Sequence, residues 1–117
     1  MYLMHEYGEE RVLPLIEDFL TARATRKPSP HTLQAYRRDL LAIAGLVAEH
    51  SGPPLPLPAL PLAALTPRAL RAAFARYAAP RAATSVARAW STWNGFFTFL
   101  VAEGHVVGNP MPAVDRP

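Results

Sequence analysis

The chain has 117 residues, enough for one hydrophobic core and too few for two domains; with no run of eighteen apolar residues and no basic stretch leading into an apolar one, neither a membrane-spanning helix nor a signal peptide is expected, and a soluble cytoplasmic protein is. Zero cysteines exclude disulfides and thiolate metal ligands, and His5, His31, His50 and His105 stand too far apart in sequence for a local ligand pair, so neither metal nor cofactor is expected. The net charge is +3, but residues 1–58 hold six basic and seven acidic side chains against six and two in residues 59–117, and from Thr66 to Ala102 five arginines stand without one Asp or Glu, a field that draws polyanions.

Residues 1–10, MYLMHEYGEE, show no clear period and read as a loose lead into the first helix. From about Glu10 to Ala24, Leu13, Ile16 and Leu20 recur at helical steps with Leu15 and Phe19 beside them. Pro14 falls in the first turn of that helix, where a missing amide hydrogen costs little. Glu9 and Glu10 complement the dipole at its start, and Arg23 at its end.

Residues 25–30, TRKPSP, form a basic turn, and Ser29 before Pro30 is a capping hydroxyl followed by proline at the first helical position. A second helix is predicted from Pro30 to about His50, with Leu33, Tyr36, Leu40, Ile43 and Val47 as its core stripe. His31, Thr32, Gln34, Arg37 and Arg38 crowd the polar side of its first two turns, where amides and helix dipole also meet an anion. The alternative for Arg37 and Arg38 is solvated surface, paired locally with Asp39 or with nothing.

Residues 51–65 carry five prolines and no charge, which predicts a stiff, extended connector tacked to the bundle by Leu55, Leu57, Leu60 and Leu62. Leu65, Thr66, Pro67 and Leu70 then combine an N-cap, a proline at N1 and a hydrophobic staple. The third helix should run to about Ala78, turning Leu70, Ala73, Phe74 and Tyr77 inward and Arg68, Arg71 and Arg76 outward.

After Pro80 and Arg81, a fourth helix is predicted over Thr84–Glu103. Val86, Trp90, Trp93, Phe97 and Leu100 follow steps of four and three and must be buried. Its other side carries Ser85, Arg88, Ser91, Thr92, Asn94 and Thr98, donors with one positive charge and no carboxylate before Glu103. Such a face suits phosphates and base edges, or is an ordinary solvated one. Gly104 reads as a left-handed cap, and the glycine, asparagine and prolines beyond it read as an exit linker.

The pattern predicts a single all-α domain of four main helices, with Ile16, Leu20, Tyr36, Leu40, Phe74, Trp90, Trp93 and Phe97 in one core. No Ser, His and Asp set, glycine-rich phosphate loop or paired acids on one face suggests catalysis. Tyr2, Tyr7, Tyr36 and Tyr77 are the available phenols, and the last two lie on core stripes. No catalytic residue is expected in this chain.

Three stretches taken together, LPLIEDFL (13–20), SPHTLQAYRRDL (29–40) and SVARAWSTWNGFFTFLVAEGHVVGNP (85–110), resemble the N-terminal core-binding domain of tyrosine site-specific recombinases and integrases. The similarity is greatest to the Xer group, of XerC or XerD type. It implies a SAM-like bundle over residues 1–110, with 111–117 starting a linker to a catalytic domain outside this chain. The family's catalytic arginines, lysine, histidines and tyrosine belong to that second domain, so none is assigned here. The intact protein would cut and rejoin DNA through a phosphotyrosyl intermediate, its subunits assembled as a tetramer on the duplex. This domain would be one half of a clamp, laying its second and fourth helices against the major groove.

The resemblance and the polar faces together nominate Ser29, His31, Thr32, Gln34, Arg37, Arg38, Arg81, Ser85, Arg88, Ser91, Thr92 and Asn94 for DNA. Ser29, Thr32, Arg37 and Ser85 are expected on phosphates, and Arg88 on a guanine. Thr84 and Ala89 stand where Xer proteins often carry arginine, and Asn94 where a basic residue is common, which implies weaker binding or a shift toward Arg81 and the second helix. A helical protein-interaction module is the rival reading and would show an exposed apolar patch and salt-insensitive binding. A helix-turn-helix repressor is disfavoured by the long proline loop.

Overall fold

Capping chemistry sets where two of the four helices begin. In the computed structural model, which describes residues 10–115, α1 spans Val12–Ala24, α2 Pro30–His50, α3 Pro67–Ala78 and α4 Ala83–Ala102. Ser29 Oγ accepts the Thr32 amide at 3.1 Å and Thr66 Oγ1 accepts the Ala69 amide at 3.1 Å, each just before a proline at N1. Ser29→Ala and Thr66→Ala are each expected to cost about 1 kcal/mol, read as a drop of a few degrees in melting temperature. The two losses should add in the double variant, because the caps sit on different helices and share no partner.

At the other end of the chain, α4 closes in a full Schellman motif. Gly104 adopts φ 80°, its amide bonds Val101 O at 3.1 Å and the His105 amide bonds Leu100 O at 2.9 Å. The left-handed conformation required there is the reason for glycine.

The all-α bundle of four helices is as predicted, and α2 touches each of the other three. Trp93, Phe96, Phe97 and Leu100 of α4 are buried with Ile16 and Phe19 of α1, Leu40, Ile43 and Val47 of α2, and Leu70, Phe74 and Tyr77 of α3. The aromatic rings meet edge-on or tilted: Trp93 and Phe96 centroids lie 5.4 Å apart, Phe19 and Phe96 5.6 Å. Phe96 is a core residue that the strict four-three stripe omitted. Tyr36, expected in the core, is half-buried at its rim. Among the described residues, no helix is long and apolar enough to cross a membrane.

Other differences have packing causes. Glu10, expected at the start of α1, lies before it and outside its first turn: its carbonyl accepts the Leu62 amide at 2.8 Å and its carboxylate lies 2.7 Å from His105 Nδ1. With Val12 N bonding Leu60 O at 3.0 Å, this ties the chain's start to the proline segment. That segment forms two short 3-10 turns, Leu57–Ala59 and Leu62–Ala64. Leu60 and Leu62 are buried as tacks, Leu57 is half-buried, and Leu55 is exposed, so the expectation fails for Leu55.

Residues 111–115, read as the start of a linker, lie against the bundle. Met111 and Val114 are buried, Trp90 Nε1 donates to Val114 O at 2.9 Å and Arg71 Nη1 to Ala113 O at 3.3 Å. The tryptophan N–H needs an acceptor inside the core edge, and the returning chain supplies it. The expectations for residues 1–9, including Tyr2, His5, Tyr7 and Glu9, fall outside the described residues, as do those for 116–117.

Candidate nucleic-acid interface

The two helices nominated for DNA meet along a seam organised by Asp39, the sole carboxylate between Pro30 and Ala48. Asp39 lies beside the apolar stripe of α2, so folding carries it into the interior, where its side chain is 0% exposed. A buried carboxylate must be paired. Arg88 of α4 supplies a two-pronged contact, Nε to Oδ2 and Nη2 to Oδ1, both 3.0 Å. Trp93 Nε1 donates to the Asp39 carbonyl at 3.2 Å, while Thr92 Oγ1 donates to Arg88 O at 3.1 Å. The Arg88 pKa is raised by its hydrogen bond to Asp39, against the opposing effect of burial.

This pairing changes how the nominated residues stand. The fork expected to read a guanine is engaged inside the protein, although the Arg88 side chain keeps 43% exposure on its outer edge. Thr92, placed by the sequence on the outer face, is buried at the seam. Arg37 pairs with Glu17 of α1, not with Asp39. Arg81 lies over the Tyr77 ring at 3.9 Å and donates to Tyr77 O at 2.8 Å. Asn94 Oδ1 accepts from Asn109 Nδ2 at 2.8 Å, and Asn109 Oδ1 in turn accepts the Met111 amide at 2.8 Å, so Asn94 positions the exit segment.

The remainder form the outer surface. Ser29 and Thr32 hydroxyls bond each other at 2.9 Å at the start of α2. His31, Gln34 and Arg38 fall on one exposed ridge of that helix, and Ser91 is exposed on α4 with Ser85 half-buried in its first turn. Arg88, Ser91 and Thr92 come together with Tyr36 of α2 and with Phe19 and Arg23 of α1 around a depression of about 260 Å³. A second depression, of about 240 Å³, shares Phe19 and Arg23 with the first and is bounded also by Arg26, Gly95, Thr98 and Ala102 among others. Neither is lined by a carboxylate.

Residues 16–104 match the family model described as phage integrase, N-terminal SAM-like domain. The chain belongs to this family. Among curated relatives, this SAM-like domain is 30% identical over 115 residues to the tyrosine recombinase XerC of Ralstonia pickettii (strain 12J), covering 96% of the chain and 33% of the relative. It is 32% identical over 105 residues to the tyrosine recombinase XerC of Xylella fastidiosa (strain M23), covering 88% and 33%. The SAM-like domain thus spans about a third of the length of the curated relatives it matches, at 33% in each case. No solved structure matches the chain.

Two features of the SAM-like domain's polar face escaped sequence reasoning. Asp39 is the one acid in most of α2 and Arg88 the one charge in all of α4, and each borders an apolar stripe, which is the signature of a buried pair across a helix seam. Arg23, read only as a complement to the α1 dipole, stands four residues after Phe19, and its guanidinium lies 5.1 Å from that ring's centroid. The i to i+4 spacing was visible, but the α4 backbone beside it was not.

Proposed function

We propose that this domain binds duplex DNA along α2 and α4, as one half of the clamp of a tyrosine recombinase, and does no chemistry itself. The observation that carries the reading is the internal neutralisation of Asp39. With that carboxylate buried under Arg88, the described parts of α2 up to Ala48 and of α4 present hydroxyls, amides and bases to solvent without an exposed acid. Polyanions bind such surfaces, and each exposed acid among them would weaken the attraction.

In this reading Arg38, Ser29, Thr32 and Ser85 contact phosphates, as does the outer edge of Arg88, and fix register. Base edges fall to His31, Gln34 and Ser91, exposed hydrogen-bonding side chains with no internal partner among the described residues. Arg37, Arg81, Thr92 and Asn94 support the surface more than they touch the ligand. The relatives named tyrosine recombinase support the wider proposal that the whole protein cleaves and rejoins DNA through a phosphotyrosyl intermediate, in a tetramer, in recombination or integration.

A salt titration tests the DNA reading. Arg38→Ala should weaken binding to every duplex sequence alike and lower the log affinity against log salt slope by about 0.9, since one fewer counterion is released. Gln34→Ala should instead relax a preference at one base pair, with a cost of about 1–3 kcal/mol there. Salt-independent capture of a protein partner with no duplex binding would favour the interaction-module reading.

A further inference from the structure

We infer that the depression where α1, α2 and α4 converge seats one backbone phosphate of the bound duplex, with Arg23 supplying its charge and Arg88 its oriented donor. The inference rests on the DNA-binding reading and adds a helix, α1, and a specific residue, Gly95, to it.

The two arginines contribute differently. Arg88 and Asp39 are together neutral, so Arg88 adds little net field. Its Nε and Nη2 are fixed on Asp39 at 3.0 Å, and that contact aims the remaining guanidinium hydrogens outward in a set direction. Arg23 is the converse: its guanidinium has no carboxylate or carbonyl partner among the described residues, so none of them balances its charge. It is nevertheless held in place, stacked over Phe19 and pressed against the α4 backbone.

Residue 95 makes that approach possible. A Cβ there would lie 2.8 Å from Arg23 Nη2, closer than real contacts allow. A glycine in mid-helix lowers helix stability, so the close approach has a local reason. Tyr36 and Ser91 among the lining residues offer hydroxyl donors, and the Phe19 ring beside them lowers the local polarity, which strengthens an ionic contact. At about 260 Å³ the depression is below the usual range of small-molecule pockets and suits a compact anion.

The test is the affinity of a fluorescent, mixed-sequence duplex for the protein at several salt concentrations. Arg23→Ala should reduce affinity roughly ten-fold and the salt slope by about 0.9, whatever the sequence. Gly95→Ala keeps every charge but displaces the guanidinium, and should lose a comparable share of affinity while melting at or above the parent temperature, because only a flexible side-chain tip must move. Arg76→Ala, an equal loss of charge on the outer face of α3, should leave affinity near the parent's. Gly95→Ala binding as the parent does, or Arg76→Ala weakening it as much as Arg23→Ala, overturns the phosphate seat while leaving DNA binding intact. A parent that binds no duplex overturns both. Should Gly95→Ala fail to fold, Arg23→Gln, which touches the core only through the Phe19 ring, decides against Arg76→Ala alone.

Discussion

Trp93→Ala is expected to lower stability by about 3–5 kcal/mol, the range for emptying a fully buried aromatic site. Trp93 is 0% exposed and touches Phe96 and Phe97 with ring centroids at 5.4 and 5.8 Å, so its truncation opens a cavity in the packed core. Its indole N–H also bonds the Asp39 carbonyl at 3.2 Å, and that acceptor would lose its side-chain donor. Set against the roughly 5–15 kcal/mol that holds a domain folded, the loss is large. Thermal melting by circular dichroism should show a drop of roughly 10–25 °C. A variant that melts within a few degrees of the parent would mean that α4 is not the centre of the core. Trp93→Phe, which keeps ring contacts but removes the N–H, should fall between the two.

Arg88→Ala is expected to destabilise the domain by about 2–4 kcal/mol, somewhat less than for a wholly buried pair because Arg88 remains 43% exposed. Most of that cost comes from stranding the Asp39 carboxylate in the interior. Adding Asp39→Asn should therefore recover part of the loss, since it removes the stranded charge and keeps the shape. Urea denaturation of the four members of the cycle measures this. A double variant no better than Arg88→Ala alone would mean that the pair contributes through packing and not charge. The Arg88 pKa is raised, so its share of stability is complete below the ordinary arginine value and adds no pH dependence near neutrality. For the same reason a DNA-binding defect in Arg88→Ala should be judged only below its own unfolding transition.

Local rules carried much of this fold. Ser29 with Pro30 and Thr66 with Pro67 announce helix starts because hydroxyl capping and fixed proline φ act within a few residues, and both caps form as read. The four-three steps of Trp90, Trp93, Phe97 and Leu100 identify the buried side of α4 for the same reason. Gly104 marks the turn beyond it through its own φ preference.

The fate of each polar side chain, by contrast, was decided by partners distant in sequence. Arg88 and Thr92 lie on an outer flank by periodicity alone, yet Asp39, 49 residues from Arg88, turns them toward the seam. Arg37 goes to Glu17 at a separation of 20 residues, and Asn94 goes to Asn109 at 15. The proline- and glycine-rich tail has the composition of a linker, but the apolar surface that buries Met111 and Val114 and the Trp90 N–H hold it down, neither of which exists until the helices have packed. The sequence by itself thus determined an all-α bundle, its helix ends and most of its core, since these follow from periodicity and capping. Only the tertiary structure decided which arginines present an unpaired charge to solvent, because a charge is balanced by whatever the crossing of two helices brings within about 3 Å of it.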